Sequence, residues 1–159
     1  MSKVKNIIAA GLGGQGVLKV TDILADVIFR AGLDVKKSEV HGMSQRGGSV
    51  SSEVRFGEKV NSPMVPVGEG DILVVLDSTQ LDVVRPSIKA DAIIITPEDI
   101  PVDKLSNPKA LNVMLLGALS AYLTEFSEEL FLAALKNAFP EKLHAANEEM
   151  FNLGRKAIL

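Results

Sequence analysis

The sequence predicts one α/β domain in which a mostly parallel sheet is doubly wound with helices and the C-terminal third is helical. Short apolar runs at residues 4–10, 35–40 and 71–77 are typical of buried strands. Between the first two runs, apolar side chains recur every three or four residues, as in an amphipathic helix. After Pro97 the pattern is helical almost to the end. Strands that alternate with helices are typical of a doubly wound sheet.

The first predicted unit consists of the strand at residues 4–10, a glycine-rich loop, a helix that starts near Gln15 and the strand at residues 35–40. Gly32 stands where a helix needs a left-handed residue at its C-terminal end. The unit is therefore a βαβ element, for which a right-handed connection is expected.

The third predicted strand, at residues 50–56, follows the second too closely for a crossover helix, so it is expected to be antiparallel or displaced. Pro63 and Pro66 then restrict regular structure, which predicts a hairpin or a loose arm. Met64 and Val65 in this arm would be exposed in the isolated chain. We expect them to form part of an apolar contact surface for a partner.

Two further strands, at residues 71–77 and 92–96, complete the predicted sheet. Asp77 and Gln80 have the three-residue spacing of a capping box, which would start a short helix directly after the fourth strand. The order of the strands in the sheet does not follow from the sequence.

The helical third contains three predicted helices. Asn107 and Pro108 are a favourable N-cap and first residue, and the helix that they open is apolar nearly all round, as expected for an element between others. Ser127 opens a second helix, which Pro140 stops, and a final helix follows. His144, in that last segment, is interpreted as structural. No repeat or linker interrupts residues 1–159, which are expected to form a single domain.

Composition restricts the possible functions. With 47% hydrophobic and 23% charged residues, the chain has the composition of a globular domain. It has no cysteine, which excludes disulfides, thiolate catalysis and cysteine-ligated iron–sulfur or zinc sites within the chain. His41 and His144 lack acidic partners at ligand spacing, so no metal site is expected. A net charge of −3 without a basic block argues against nucleic acid, and the absence of a long apolar run predicts a cytoplasmic protein without a membrane span.

The first glycine loop follows the first strand and opens the first helix. Its glycines match G-x-G-x-x-G, a context in which backbone N–H groups and the helix dipole receive a phosphate, and the sheet would then be Rossmann-like. Glu39, near the end of the second strand, is close to where a dinucleotide fold has an acid for the ribose. The alternative is that the glycines only allow the helix to pack closely on the strand. The candidate residues of this loop are Gly11, Gly13, Gly14, Gln15 and Gly16.

The second glycine loop lies between the second and third strands. Loops at the carboxyl ends of neighbouring strands form the crevice where open α/β sheets bind ligands, so the two loops are expected to lie side by side. The alternative is a mobile hairpin loop beside a tight turn. The candidate residues of this loop are His41, Gly42, Gln45, Arg46, Gly47, Gly48 and Ser49.

The polar residues of this second loop allow more than one role. Arg46 is a planar cation suited to grip a carboxylate or phosphate, or it is an interface arginine. His41 could donate to the same anion, or it is a structural loop residue. Gln45 and Ser49 offer neutral hydrogen bonds. No catalytic residue is assigned.

The two loops together carry a resemblance to a known family. GLGGQGV after the first strand and SEVHGMSQRGGSV around the second loop resemble the gamma-type subunits of 2-oxoacid:ferredoxin oxidoreductases, most closely the small (beta) subunit type that acts with indolepyruvate. The resemblance continues through VRFGEKVNSP, DILVVLD, LNVMLLGAL and LGRKA, so it spans nearly the whole chain. It departs at residues 97 to 108, where this chain is compact.

The resemblance implies a subunit that binds no cofactor by itself. In that family, a large partner subunit holds thiamine diphosphate, magnesium and iron–sulfur clusters. The complex converts a 2-oxoacid and coenzyme A to acyl-coenzyme A, carbon dioxide and reduced ferredoxin. The isolated chain is therefore expected to be inactive. Two other functions stay open at this point: a free-standing NAD- or FAD-binding protein, and an assembly module without ligand contact.

Overall fold

The structure, a computed structural model, describes residues 3–41 and 48–159 of the chain. Within these residues five strands form one sheet in the order β2-β3-β1-β4-β5. β3 runs antiparallel to β1 and β2, whereas β1, β4 and β5 are parallel. The antiparallel third strand is thus confirmed, and the sheet is mixed, with two parallel and two antiparallel pairings among the described strands. The strands are β1 (Lys5–Leu12), β2 (Asp34–His41), β3 (Ser49–Gly57), β4 (Gly70–Val75) and β5 (Ile88–Ile95).

The predicted helices are present, and their starts follow the predicted caps. The Asn107 side chain accepts a hydrogen bond from the Lys109 N–H, and Ser127 accepts one from Leu130. None of the helices in the described residues is long and apolar enough to cross a bilayer. The α-helices are α1 (Val17–Arg30), α2 (Leu81–Val84), α3 (Leu111–Tyr122), α4 (Glu128–Ala138) and α5 (His144–Ile158).

Helices cover the two faces of the sheet unequally. The larger core lies between the sheet and the four longer helices, and Phe131 and Phe151 are fully buried in it. The smaller core lies on the other face, where α2 and residues 58–69 cover side chains such as Ile8 and Leu73. The α/β fold with a helical C-terminal third is therefore confirmed, with most of its helical mass on one side.

The arm at residues 58–69 is held to the sheet. The Arg55 guanidinium donates to the carbonyl oxygens of Ser62 at 2.9 Å and Met64 at 3.2 Å. Glu53 accepts a hydrogen bond from the Val65 N–H at 3.0 Å, and Val65 is partly buried against the smaller core. The prediction of a hairpin or a loose arm was therefore wrong, because residues 58–69 contain no strand and two charged β3 side chains fix their backbone. Met64 is 64% exposed, as expected, whereas the expectation that Val65 is exposed was wrong.

The closest helix contact joins α3 and α5. A Cβ atom added to Gly117 would lie 2.0 Å from the Phe151 carbonyl oxygen. One added to Gly154 would lie 1.8 Å from the Met114 carbonyl oxygen. The two backbones touch through this pair of glycines, and α3 is therefore buried on nearly all sides between the sheet and α5.

Candidate functional site

The first glycine loop joins β1 to α1 at the carboxyl end of the sheet. Gly14 and Gly16 have φ values of 86° and 84°, a left-handed conformation that other residues rarely adopt. Gly16 is the N-cap residue of α1. A Cβ atom added to Gly16 would lie 2.5 Å from the Asn112 Nδ2 atom of α3. Gly16 therefore serves close packing as well as backbone conformation, whereas Gly14 serves conformation alone.

Several N–H groups of this loop are already bound within the protein. The Leu12 N–H donates to the Gln15 side-chain oxygen at 2.7 Å, and the Gly13 N–H donates to the Gly48 carbonyl at 3.0 Å. The Gln15 N–H donates to the Leu12 carbonyl at 3.2 Å. Within the described residues, the N–H groups of Gly14 and Gly16 have no protein partner. Only the tip of the loop and the start of α1 are thus available to an anion.

Two shallow grooves flank the tip of the loop. One, of about 300 Å³, runs between the loop and the start of α3 and includes Lys109 in its lining. The other, of about 310 Å³, lies on the opposite side, and Lys19 and Val50 contribute to its lining. The Lys19 ammonium donates to the Ala138 carbonyl at 3.2 Å and lies over the Phe139 ring, so it belongs to the contact between α1 and α4.

The second glycine loop begins at His41 and rejoins the sheet at Gly48 and Ser49. His41 pairs with Val50 as the last residue of β2, and Ser49 pairs with Leu12 of β1. With the hydrogen bond from Gly13 to Gly48, this pairing makes the two loops neighbours, as predicted. The remaining candidates of this loop lie outside the described residues. They are Gly42, Gln45, Arg46 and Gly47.

A third segment contributes to the site, the turn that follows β4. We call residues 77–80 the post-β4 turn. The Ser49 hydroxyl donates to the Gln80 side-chain oxygen at 2.5 Å. Asp77 accepts hydrogen bonds from the Thr79 N–H at 3.1 Å and from the Gln15 side-chain amide at 3.0 Å. Asp77 is the N-cap of this turn, as predicted, but no capping box forms, because the Gln80 side chain turns to Ser49 instead.

The electrostatics of the turn are set by Asp77. The hydroxyl and N–H of Thr79, with a smaller contribution from Gln15, hold the pKa of Asp77 below its ordinary value of 3.8. Asp77 is therefore a carboxylate at neutral pH. Its negative charge lies behind the first glycine loop, where it orients the Gln15 amide.

Glu39 is not placed to serve the first loop. It lies on β2, and its carboxylate accepts a hydrogen bond from Lys37 at 3.3 Å. β3 separates β2 from β1, so Glu39 is about 10 Å from the β1 strand at the usual strand spacing. A dinucleotide site has this acid on the strand next to the glycine loop. The inserted antiparallel strand therefore disfavours a ribose-binding role.

His144 contacts the end of α4. Its Nε2 atom lies 2.9 Å from the carbonyl oxygens of both Lys136 and Phe139, which agrees with a structural role. In the part of the chain that the structure describes, no three His, Asp or Glu side chains are grouped to hold a metal ion.

The sequence interpretation missed Gln80 and Asn112 as parts of the site. Both are buried amides, 8% and 6% exposed, and they contact the second and first glycine loop respectively. Asp77 was recognised only as a helix cap. Its position at the carboxyl end of a predicted strand was the available signal, since ligand sites of α/β sheets form at that edge.

Comparison with known families assigns residues 6–157 to the pyruvate ferredoxin/flavodoxin oxidoreductase family. The chain is 31% identical to indolepyruvate oxidoreductase subunit IorB of Archaeoglobus fulgidus, over 94% of this chain and 92% of that protein. It is 27% identical to pyruvate synthase subunit PorC of Methanothermobacter marburgensis, over 87% and 89% respectively. For IorB of Thermococcus kodakarensis, 51% identity extends over 45% of this chain and 35% of the relative.

Solved structures share the fold. The gamma subunit of a keto/oxoacid ferredoxin oxidoreductase from Geobacter sulfurreducens superposes with a TM-score of 0.82 at 22% identity, covering 97% of this chain and 98% of that chain. A 2-oxoglutarate:ferredoxin oxidoreductase from Magnetococcus marinus superposes with a TM-score of 0.84 at 23% identity. This match covers 98% of the present chain and 31% of that longer chain. The fold thus occurs both as a separate subunit and within a larger polypeptide.

The fold is thus shared with the gamma subunit of a keto/oxoacid ferredoxin oxidoreductase. The chain belongs to the pyruvate ferredoxin/flavodoxin oxidoreductase family, as a subunit of an oxidoreductase that acts on 2-oxoacids. The resemblance drawn from GLGGQGV and SEVHGMSQRGGSV is confirmed.

Proposed function

We propose that this chain is the small subunit of a ferredoxin oxidoreductase that acts on indolepyruvate or a related arylpyruvate. The observation that carries the substrate class is the relative from Archaeoglobus fulgidus, an indolepyruvate oxidoreductase subunit that matches over nearly its full length. Relatives named for pyruvate or ketoisovalerate also match, among them VorA of Methanothermobacter thermautotrophicus at 32% identity over 84% of this chain and 31% of that protein. The relatives therefore share a 2-oxoacid as substrate class, whereas only some of them are named for a 2-oxoacid with an aromatic side chain.

In this proposal the chain completes an enzyme whose cofactors lie on a large partner subunit. Cysteine ligands for an iron–sulfur cluster are absent from the chain, and so is the Gly-Asp-Gly motif with which thiamine enzymes hold metal and diphosphate. The residues of this chain therefore do not fit those groups. Thiamine diphosphate, magnesium and the clusters are assigned to the partner, and ferredoxin accepts electrons from the complex. The isolated chain is inactive in this scheme.

The proposed task of the two glycine loops is to meet coenzyme A at the contact with the partner. Both loops lie at the carboxyl edge of the sheet, the usual ligand edge of such folds. The tip residues Gly14 and Gly16 have unbound N–H groups within the described residues. The larger relative from Magnetococcus marinus is described with coenzyme A bound. Arg46 would supply the cation for a coenzyme A phosphate, because a guanidinium grips phosphate through two parallel hydrogen bonds.

The competing dinucleotide function has less support. The G-x-G-x-x-G pattern is present, but the N–H groups of Leu12 and Gly13 are already bound within the protein. Glu39 is separated from the loop by a strand. A subunit that acts only in assembly would also have its loops at the contact with the partner. In that case, substitutions in the loops would not change the KM of the complex for coenzyme A.

The test is Arg46→Ala in the complex assembled with the large subunit. We expect the apparent KM for coenzyme A to rise by a factor that corresponds to about 1–3 kcal/mol, the usual contribution of a charge-assisted hydrogen bond. Steady-state kinetics with varied coenzyme A measure it. Arg30→Ala is the matched control, because Arg30 ends α1 and pairs with Asp26 at 3.0 Å, at the far end of the helix from Gly16.

Two results would contradict the proposed role of the loop. If the Arg46→Ala complex forms with unchanged coenzyme A kinetics, Arg46 does not bind this substrate. If the variant fails to assemble in size-exclusion chromatography while Arg30→Ala assembles, Arg46 belongs to the subunit interface.

A further inference from the structure

Hydrogen bonds link the post-β4 turn to both glycine loops. Gln80 accepts from Ser49, and Asp77 accepts from Gln15, whose own side-chain oxygen binds the Leu12 N–H. β1 lies between β3 and β4 in the sheet, so these side chains reach across the end of β1. The post-β4 turn therefore binds Gln15 of the first loop and Ser49 at the end of the second loop. The backbone pairing of β4 with β1 does not by itself fix either side chain.

The bond between Ser49 and Gln80 is the most enclosed of these contacts. Gln80 is 8% exposed, and its side-chain oxygen lies 2.5 Å from the Ser49 hydroxyl. Among the described residues, its amide nitrogen has a single weaker contact, with the Thr79 hydroxyl at 3.3 Å. A buried acceptor that loses its donor destabilises the protein, so the Gln80 amide constrains where Ser49 can lie.

Ser49 lies where the second glycine loop ends and β3 begins, so the contact with Gln80 acts on the end of that loop. It is the first residue of β3, and the carbonyl of the preceding residue, Gly48, accepts the Gly13 N–H at 3.0 Å. Fixing Ser49 therefore fixes both the point where the second loop rejoins the sheet and its contact with the first loop.

We infer that Gln80 is a positioning residue, which acts through Ser49 to hold the start of β3 beside the first glycine loop for coenzyme A. This inference rests on the proposed function. Gln80 itself does not touch the ligand in this arrangement. Its effect is to hold the start of β3, so its removal weakens coenzyme A binding and leaves the chemistry on the partner subunit intact.

The experiment compares single and double variants in the assembled complex. Gln80→Met keeps the size of the side chain and removes the acceptor, and Ser49→Ala removes the donor. Each is expected to raise the KM for coenzyme A about two- to tenfold, the range of one net hydrogen bond, and Gln80→Met keeps the wild-type kcat. Because both changes break the same bond, the double variant should show no larger rise than either single variant. Ser49→Thr keeps the hydroxyl and should restore a near-normal KM.

The matched control is Ser52→Ala. Ser52 lies on the same strand, is fully buried, and exchanges a hydrogen bond of 2.7 Å with the Thr21 hydroxyl of α1. Its removal also breaks buried hydroxyl contacts, the one with Thr21 and a weaker one of 3.4 Å to the Ser38 carbonyl oxygen, but away from the loops. We expect a lower Tm for Ser52→Ala and an unchanged KM for coenzyme A.

Three results would overturn the inference. If Arg46→Ala raises the KM but Gln80→Met and Ser49→Ala do not, the turn has no positioning role and the proposed function stands. If none of the three raises it, the inference and the coenzyme A role both fail. If Ser52→Ala raises the KM as much as Gln80→Met, the effect reflects general loosening of β3. Should Gln80→Met not assemble, the comparison of Ser49→Ala with Ser49→Thr decides.

Discussion

Glycine is required in two regions of this protein for different physical reasons. In the loop between β1 and α1, Gly14 and Gly16 adopt positive φ angles that a side chain would strain. At the crossing of α3 and α5, Gly117 and Gly154 lie within helices, and a carbonyl of the opposite helix occupies the place of a side chain. The first region needs glycine for its conformation, and the second needs it for space.

This difference determines what a substitution does. Alanine is the better helix former by about 1 kcal/mol, so glycine inside α3 and α5 is unfavourable until the two helices meet. The close approach compensates for that loss through contacts along both backbones. In the loop, glycine is needed for the positive φ angles of the local backbone, whether or not the rest of the fold is present. The Asn112 side chain of α3 adds a steric limit at Gly16 and not at Gly14.

The largest effect is expected for Gly154→Ala. A methyl group 1.8 Å from the Met114 carbonyl oxygen cannot be accommodated unless the helices separate. We expect a loss of at least about 3 kcal/mol in the free energy of unfolding, the upper range for an overpacked core. Urea unfolding measures it. Gly32→Ala is the control, because its positive φ costs about 1–2 kcal/mol while its surroundings are open. Higher stability of Gly154→Ala, as helix propensity alone predicts, would show that the backbones are not in contact.

An intermediate effect is expected for Gly16→Ala. The φ of 84° costs about 1–2 kcal/mol, and the added methyl group would lie 2.5 Å from the Asn112 amide, which can shift at some further cost. In the Gly16→Ala background, Asn112→Ala should therefore cost less stability than it does in the wild type. Gly14→Ala, with the same φ and open space, isolates the conformational part. Strict additivity of Gly16→Ala and Asn112→Ala in denaturant unfolding would show that the steric contact contributes nothing.

The smallest effect is expected for the pH dependence of stability. Acid should weaken the contacts of Asp77 at the loop end of the sheet and leave the crossing of α3 and α5 unchanged. The pKa of Asp77 is lowered in the folded protein, so its hydrogen bonds stabilise the fold fully above the ordinary value of 3.8. That contribution is lost as the pH falls below 3.8 and through the lowered pKa. The stability difference between wild type and Asp77→Asn should therefore be largest at neutral pH and shrink below about pH 4. Urea unfolding at several pH values tests this.

The corresponding comparison for the helix crossing provides the control. Gly154→Ala changes a packing contact between uncharged groups, so its stability cost should not vary over the same pH range. If the Asp77→Asn difference stays constant down to pH 3, the carboxylate does not stabilise the post-β4 turn through its charge.

Much of the site could be predicted because its signals are local. The glycines of the first loop, the N-cap Asp77 and the apolar run of β1 each reflect the needs of a few adjacent residues. The position of both loops at the carboxyl ends of strands then predicted that they lie side by side. The contact between Gln80 and Ser49 could not be predicted in this way, because the two residues are 31 positions apart in the sequence. Gln80 follows β4 and Ser49 begins β3, and these two strands are not neighbours in the sheet.

The sequence by itself determined the α/β class and the starts of the later helices, and it restricted β3 to an antiparallel or displaced strand, because hydrophobic period, loop length and capping residues act over short distances. Only the tertiary structure decided that β3 lies between β2 and β1 and removes Glu39 from the first loop. It also decided that Arg55 and Glu53 hold the arm, and that two helix glycines meet. These features depend on which surfaces face each other across the fold, and no local pattern encodes that choice.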